Sequence, residues 1–181
     1  MRIKATMISF LLSMLLAGCT SNEDRARALH QQSLEAKGAG DPIRQESLLS
    51  QIVSDYPSTG TADQARKELE KIRFNREVLM SNTVSVMRII IAGQALFLTA
   101  NGRYARDLAE LSASKRGGFD PGFLDPKKGY QYEMTAANGV YAVTARPAMP
   151  PLEKHFFTDN TGSIHEEIGK PATVESPITN Y

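Results

Sequence analysis

The single cysteine, Cys19, is the residue of this 181-residue chain whose chemistry is easiest to assign. A lone cysteine has no disulfide partner in its own chain, so its thiol needs another purpose. It follows Arg2, Lys4, an apolar run over 8–16 and two small residues. The run is too short to cross a bilayer comfortably, but it has the length of a signal-peptide core. The pattern predicts a signal peptide over 1–18.

The segment Leu16-Ala17-Gly18-Cys19 closely resembles the lipobox of bacterial lipoproteins. That resemblance implies cleavage before Cys19 and acylation of its thiol and new amino group, and several acyl chains anchor a protein firmly. Aspartate after the cysteine would suggest retention in the inner membrane. Because Thr20 stands there, the resemblance implies the periplasmic face of the outer membrane. The alternative is an ordinary signal peptide with a cysteine nearby by chance.

Cleavage at this point would leave a nearly neutral chain. Without Arg2 and Lys4, 19 basic residues remain against 20 acidic ones, a net charge of −1. Such a balance provides no positive field for nucleic acid, so no nucleic-acid partner is expected. The absence of further cysteines predicts neither a disulfide framework nor a thiolate metal site.

Few other residues have the spacing of a catalytic or metal site. His155 and His165 fall on neighbouring predicted strands and could approach Asp159 and Glu166, but no tight ligand spacing supports a metal. There is no nucleophile-elbow sequence, and no glycine-rich phosphate loop follows a strand. We therefore expect no enzyme, no catalytic residues, no metal and no cofactor.

Residues 19–75 are predicted to be helical. Asp41-Pro42 is a favourable helix start, with Asp as the N-cap and Pro in the first turn. Pro57 ends that helix, and Thr61 with Gln64 has the spacing of a capping box for the next one. The stretch from Leu48 to about residue 72 resembles the tetratricopeptide-like hairpins of envelope lipoproteins, although a generic helical hairpin explains it equally well. No second copy of such a unit follows.

A long helix is predicted from Thr61 to Ala100, with a break possible near Asn75 or at Ser81-Asn82. Its second half is so apolar that we expect it to be wrapped on several sides. Polar residues, namely Arg88, Gln94 and Asn101, interrupt it too often for a second membrane span.

Alternating apolar and polar residues after about residue 129 predict four antiparallel strands. Turns are expected over 136–139 and over 159–162. The predicted fold class is α+β: an N-terminal helical hairpin, then a long helix packed on a small antiparallel sheet. Residues 169–181 show no pattern and are predicted to form a disordered tail.

The order of elements over about 84–167 resembles the globular part of type IV pilins and type II secretion pseudopilins. The resemblance rests on the segments "IIIAGQALFLTANGRY", "KKGYQYEM", "YAVTARP" and "HFFTDNTGSI". The resemblance implies a pilin-like domain over 76–168. Some pseudopilins bind calcium near this sheet, but turn capping explains the loop carboxylates Asp120 and Asp125 equally well. The pilin leader and early apolar helix have no counterpart here, so the likeness speaks for fold more than for function.

The loop over 112–128 is the expected contact surface for a protein partner. It combines Phe119 and Phe123 with Lys127 and Lys128, and long structured loops often carry function. The alternative is that both phenylalanines pack onto the sheet. The sequence thus favours a lipid-anchored envelope protein that presents a pilin-like module to protein partners, accessory to a pilus or secretion apparatus. The alternative is a tetratricopeptide-type assembly lipoprotein that binds partners through its helices.

Overall fold

The computed structural model describes residues 21–181. Cys19 and the predicted signal peptide lie outside the described residues. The chain divides into two compact units, with the division between Ile72 and Arg73. The predicted α+β class is confirmed, since helices precede a four-stranded antiparallel sheet.

The first unit is built from α1 (Asn22–Gly38), α2 (Pro42–Asp55) and the beginning of α3 (Gly60–Asn101). The predicted start of α2 is confirmed, because the Asp41 carboxylate accepts a hydrogen bond from the Arg44 backbone N–H at 3.0 Å. The core of this unit is made of small and aliphatic side chains: Ala26, Leu49, Ile52, Ala62, Ala65 and Leu69.

The cap of α3 differs from the prediction. The hydroxyl of Thr59, two residues before the expected cap, accepts a hydrogen bond from the Ala62 N–H at 3.1 Å. Thr61 instead donates its hydroxyl to Glu23 of α1 at 2.7 Å. Thr59 and Thr61 offer two possible caps, and the bond between Thr61 and Glu23 of α1 decides between them.

Helix α3 is continuous for 42 residues and has no break at Asn75 or Ser81. By length and composition alone it contains an 18-residue window apolar enough to cross a membrane, contrary to the expectation from its polar residues. The core helices of soluble proteins meet the same criterion. Met87 and Ile90 of this helix are indeed fully buried in the core of the second unit.

The sheet of the second unit consists of β1 (Tyr130–Ala137), β2 (Val140–Pro147), β3 (Lys154–Asp159) and β4 (Ile164–Ile168), paired antiparallel in chain order. Both predicted turns are confirmed. Asn138 and Gly139 have φ angles of 53° and 80°, which a two-residue hairpin requires. The Gly162 N–H donates to the Asp159 carbonyl at 3.0 Å across the second turn.

The core of the second unit lies between α3 and one face of the sheet. The inward strand residues are those at alternate positions, as the sequence predicts: Tyr130, Met134, Tyr141, Val143, Ala145, Phe156 and Ile164. The side chains of Val84, Met87 and Ile90 face them from α3. The Tyr130, Tyr132 and Phe156 rings belong to this core, with the Tyr130 and Phe156 ring centroids 5.6 Å apart, whereas Phe157 lies on the other face of the sheet, beside His165.

The prediction of a disordered tail over 169–181 is wrong. The Glu166 N–H donates to the Pro177 carbonyl, and the Thr179 N–H donates to the Ile164 carbonyl, both at 2.8 Å. The Tyr181 side chain packs against the core of the second unit. The tail therefore covers the outer edge of β4 through backbone bonds, which do not require particular side chains.

Candidate functional site

The loop between α4 (Leu108–Ser112) and β1 is fixed to α3 by two glycines. A Cβ added to Gly93 would lie 2.5 Å from the carbonyl oxygen of Gly117, and one added to Gly117 would lie 2.5 Å from that of Gly93. Gly117 also has a φ of 86°, a backbone conformation that residues with a side chain rarely adopt. The two backbones thus approach more closely than any other residue pair would allow.

Two short 3₁₀ turns, Pro121–Leu124 and Pro126–Lys128, shape the rest of this loop. The Asp120 carboxylate accepts a hydrogen bond from the Gly122 N–H at 2.8 Å. The Asp125 carboxylate accepts one from the Lys127 N–H at 3.0 Å. Both acids therefore act as caps. The cations of the loop are exposed. Its four cations and two carboxylates give residues 113–128 a net charge of +2.

The predicted contact residues divide into two groups. Phe119 is half-buried against the core, as the alternative held for both phenylalanines. Phe123 is 38% exposed, and the ammonium group of Lys128 lies 5.5 Å from its ring centroid. Lys127 is exposed. The structure thus places Phe123, Lys127 and Lys128 on the surface together and removes Phe119 from it.

Phe123 and Lys128 form one wall of a cavity of about 440 Å³, which we call the α3–loop groove. Helix α3 supplies the other wall, and Tyr132 comes from β1. The lining residues on α3 are Leu79, Asn82, Thr83, Ser85, Val86 and Ile89. Burial of the phenol raises the pKa of Tyr132, and the neighbouring Thr83 hydroxyl partly opposes the shift. The groove is mainly apolar, with hydroxyl, amide and ammonium groups inside it.

The α3 wall was missed from the sequence. The expectation that this half of α3 is wrapped on several sides is wrong, because Ile89 is 38% and Leu96 54% exposed. A signal for an exposed face was present: Val78, Asn82, Ser85, Ile89, Ala92 and Leu96 follow one another in steps of four and three residues. Because none of these six side chains is charged, the pattern did not distinguish this exposed face from a buried one.

A second cavity, of about 400 Å³, lies at the other end of β1. Arg103 and Arg106 line it together with the β1–β2 hairpin. Arg103 donates to Glu110 at 2.6 Å, and this bond, with the backbone N–H of Arg106, lowers the pKa of Glu110 from 4.5 to about 2. Because Glu110 remains ionised, it offsets much of the positive charge here, and this cavity is a weaker candidate for anion binding.

The histidines and acids considered for a metal are not brought together. Glu166 forms an ion pair with Lys154 at 2.8 Å, on the core side of the sheet. His165, its neighbour on β4, points to the opposite face and donates from Nδ1 to the Ser176 carbonyl at 2.6 Å. Within residues 21–181, no group of three His, Cys, Asp or Glu side chains could hold a metal ion.

Comparisons with protein-family models, with curated proteins and with solved structures found no match for this chain. The lipobox and the pilin-like resemblance therefore stay predictions from the sequence.

Proposed function

We propose that this protein is a lipid-anchored envelope protein that binds a protein partner through the α3–loop groove. Cys19 carries the anchor at the periplasmic face of the outer membrane, and the pilin-like module over 76–168 carries the groove. The partner belongs to a pilus or secretion apparatus. The protein performs no catalysis and uses no cofactor.

The observation that carries this proposal is the composition of the groove. Exposed apolar side chains that gather in one place mark a site of interaction, and the anchor residues of a protein partner typically enter such pockets. Phe123 and Ile89 stay exposed on opposite walls, although the core lies directly beside them. A partner's leucine or phenylalanine that became fully buried here would contribute about 1.5–3 kcal/mol. Lys128 at the rim would favour a carboxylate next to that apolar side chain.

The alternative, partner binding through the tetratricopeptide-like helices, receives less support from the first unit. The side chains of its core face one another: Leu49 and Ile52 of α2 are fully buried, as are Ala62 and Ala65 of α3. These residues fill the core of that unit and are not available to a partner. The helices of the first unit serve better as a spacer between the anchor and the groove.

The anchor is tested by labelling cells with radioactive palmitate. The wild-type protein is expected to incorporate label, and Cys19→Ala is expected to remain an uncut, unlabelled precursor. Label in the Cys19→Ala protein would contradict the lipoprotein assignment.

The groove is tested by photo-crosslinking in intact cells. A photoreactive amino acid replaces Phe123, and in a control protein it replaces Val140, which is exposed on the β1–β2 hairpin outside the groove. We expect a discrete adduct from position 123 only, and we expect Ile89→Asp on the opposite wall to abolish it. Equal adducts from both positions, or an adduct that persists with Ile89→Asp, would remove the groove from the proposal.

A further inference from the structure

The outer edge of β1 is an open strand edge. The two-residue turn makes Ala137 and Val140 a hydrogen-bonded pair, so the bonds to β2 alternate from there. The N–H and C=O groups of Tyr132, Met134 and Ala136 consequently point away from β2. Among residues 21–181, none outside β2 makes a backbone hydrogen bond to β1.

Three of the usual protections of a free edge, namely a bulge, a proline and several charges, are missing from β1. The strand pairs with β2 over eight consecutive residues without a bulge. It contains no proline, and Glu133 is its only charged residue. Natural proteins normally protect such an edge with bulges, prolines or charges, because an exposed one is a template for another strand. The α3–loop groove adjoins this edge, since Tyr132 of β1 lines it.

We propose that β1 accepts an extended strand from the partner protein. This inference rests on the proposed function and identifies the element that binds. Backbone hydrogen bonds to Tyr132, Met134 and Ala136 hold the strand, and alternate side chains determine which strand fits, as in other cases of strand addition. One apolar side chain of the incoming strand enters the groove beside Phe123.

The charges at the ends of β1 indicate the chemistry of that strand. Lys127 and Lys128 precede β1, in a loop of net charge +2, and Arg106 lies at the other end with an exposed side chain. A second copy of this chain, paired antiparallel through β1, would bring the lysines of one copy towards residues 136–140 of the other, none of which is acidic. The occupant is therefore a different strand, with an acidic residue opposite Lys127 and Lys128.

The test uses the mature, lipidated protein in detergent micelles and a displayed library of random peptides long enough to pair with all of β1. We expect the selected peptides to share alternating apolar residues and an acidic end. Amide hydrogen exchange at Met134 and Ala136 should slow when a peptide binds. Binding should weaken by about tenfold or more with Lys127→Glu or Ile89→Asp.

N-methylation of the best peptide distinguishes strand pairing from side-chain binding alone. Only one edge of the peptide can face β1, so methyl groups on one alternate set of amides should abolish binding and those on the other set should be tolerated. If both sets behave alike and the β1 amides stay unprotected, strand addition is excluded while the groove remains a binding site. If no selected peptide depends on Ile89 or Lys127, both this inference and the groove are excluded.

Discussion

The two edge strands of the sheet in the second unit differ in their backbone hydrogen bonds. At β4, the outward carbonyl of Ile164 and N–H of Glu166 are bonded to Thr179 and Pro177 of the tail. At β1, the corresponding groups of alternate residues have no backbone partner within the described part of the chain. One edge is closed by the chain itself, whereas the other is left open beside an apolar groove.

Under the proposal above, this contrast separates contacts that stabilise the fold from contacts that bind a partner. The tail adds more than backbone bonds, because the Lys154 ammonium lies 5.0 Å from the Tyr181 ring centroid and Thr179 donates to Glu166 at 2.7 Å. The open edge has an exposed phenylalanine and lysines next to it instead. Changes at the closed edge should therefore alter stability, and changes at the open edge should alter binding.

The largest effect is expected from Ile90→Asp, which places a carboxylate in the core that supports both edges of the sheet. Ile90 is fully buried, and a carboxylate there should cost more than about 4 kcal/mol. Hydrogen exchange should show lost protection throughout the second unit while α1 and α2 stay protected. The matched control is Ile89→Asp, one residue earlier and exposed, which should keep both units folded. Loss of protection in α1 and α2 as well would mean that the two units fold as one.

The next largest effect is expected from Gly93→Ala, which separates the loop from α3. The added Cβ meets the Gly117 carbonyl, and overpacking of this kind costs about 1–3 kcal/mol. Amides over 113–118 should exchange faster, while those of Glu166 and Thr179 should not change.

The control for Gly93→Ala is Gly38→Ala in α1, where the added Cβ has no neighbour within 4 Å. It should be neutral or stabilising by up to about 1 kcal/mol. If both alanines have the same effect on thermal unfolding, the close approach of α3 and the loop has no energetic consequence.

An effect of similar size is expected from Thr179→Pro, which opens the closed edge. Proline removes the N–H donor to Ile164 and the hydroxyl bound to Glu166, each worth about 0.5–1.5 kcal/mol. Exchange at Glu166 should accelerate, and exchange at Met134 and Ala136 should stay as it is. Asn180→Pro, at an exposed neighbour, is the control and should leave Glu166 protected. Equal exchange at Glu166 in both variants would argue against a closed edge.

Much of this fold was predictable because its signals are local. Asp41-Pro42 encodes a helix start and Asn138-Gly139 encodes a hairpin turn, each through the backbone angles and hydrogen bonds of a few neighbouring residues. The alternation along the strands likewise reflects which face each residue presents. These features are properties of short segments and do not depend on the rest of the chain.

The features that the sequence did not predict depend on contacts between residues that are far apart in the chain. The tail pairs with β4 through main-chain groups, so Pro177 and Thr179 carry no alternating pattern that would reveal it. The groove exists because Gly117 contacts Gly93 and places the loop beside one face of α3. The sequence singled out Phe123, Lys127 and Lys128 through the composition of their loop. The sequence could not distinguish the half-buried Phe119 from the exposed Phe123, because the burial of each aromatic ring depends on the path of the loop.

The smallest change in stability, and the largest change in binding, is expected from Phe123→Ser combined with Lys127→Glu. The Lys127 backbone N–H keeps its bond to Asp125, and no side-chain hydrogen bond of either residue to the described part of the chain is lost. Phe123 gives up limited burial and its contact with Lys128, which at an exposed site is worth about 0.5–1 kcal/mol. The melting temperature should therefore fall only slightly.

The matched control for this double variant is Phe119→Ser in the same loop. Phe119 packs against the core, so its loss should lower stability by about 2 kcal/mol while the exposed wall of the groove is kept. Thermal unfolding and peptide binding measured on both variants should thus move in opposite ways: Phe119→Ser melts earlier and still binds, whereas the double variant melts almost normally and binds weakly. If stability and binding fall together in both variants, the open edge and its groove are structural in the same sense as the closed edge, and the contrast between the two edges disappears.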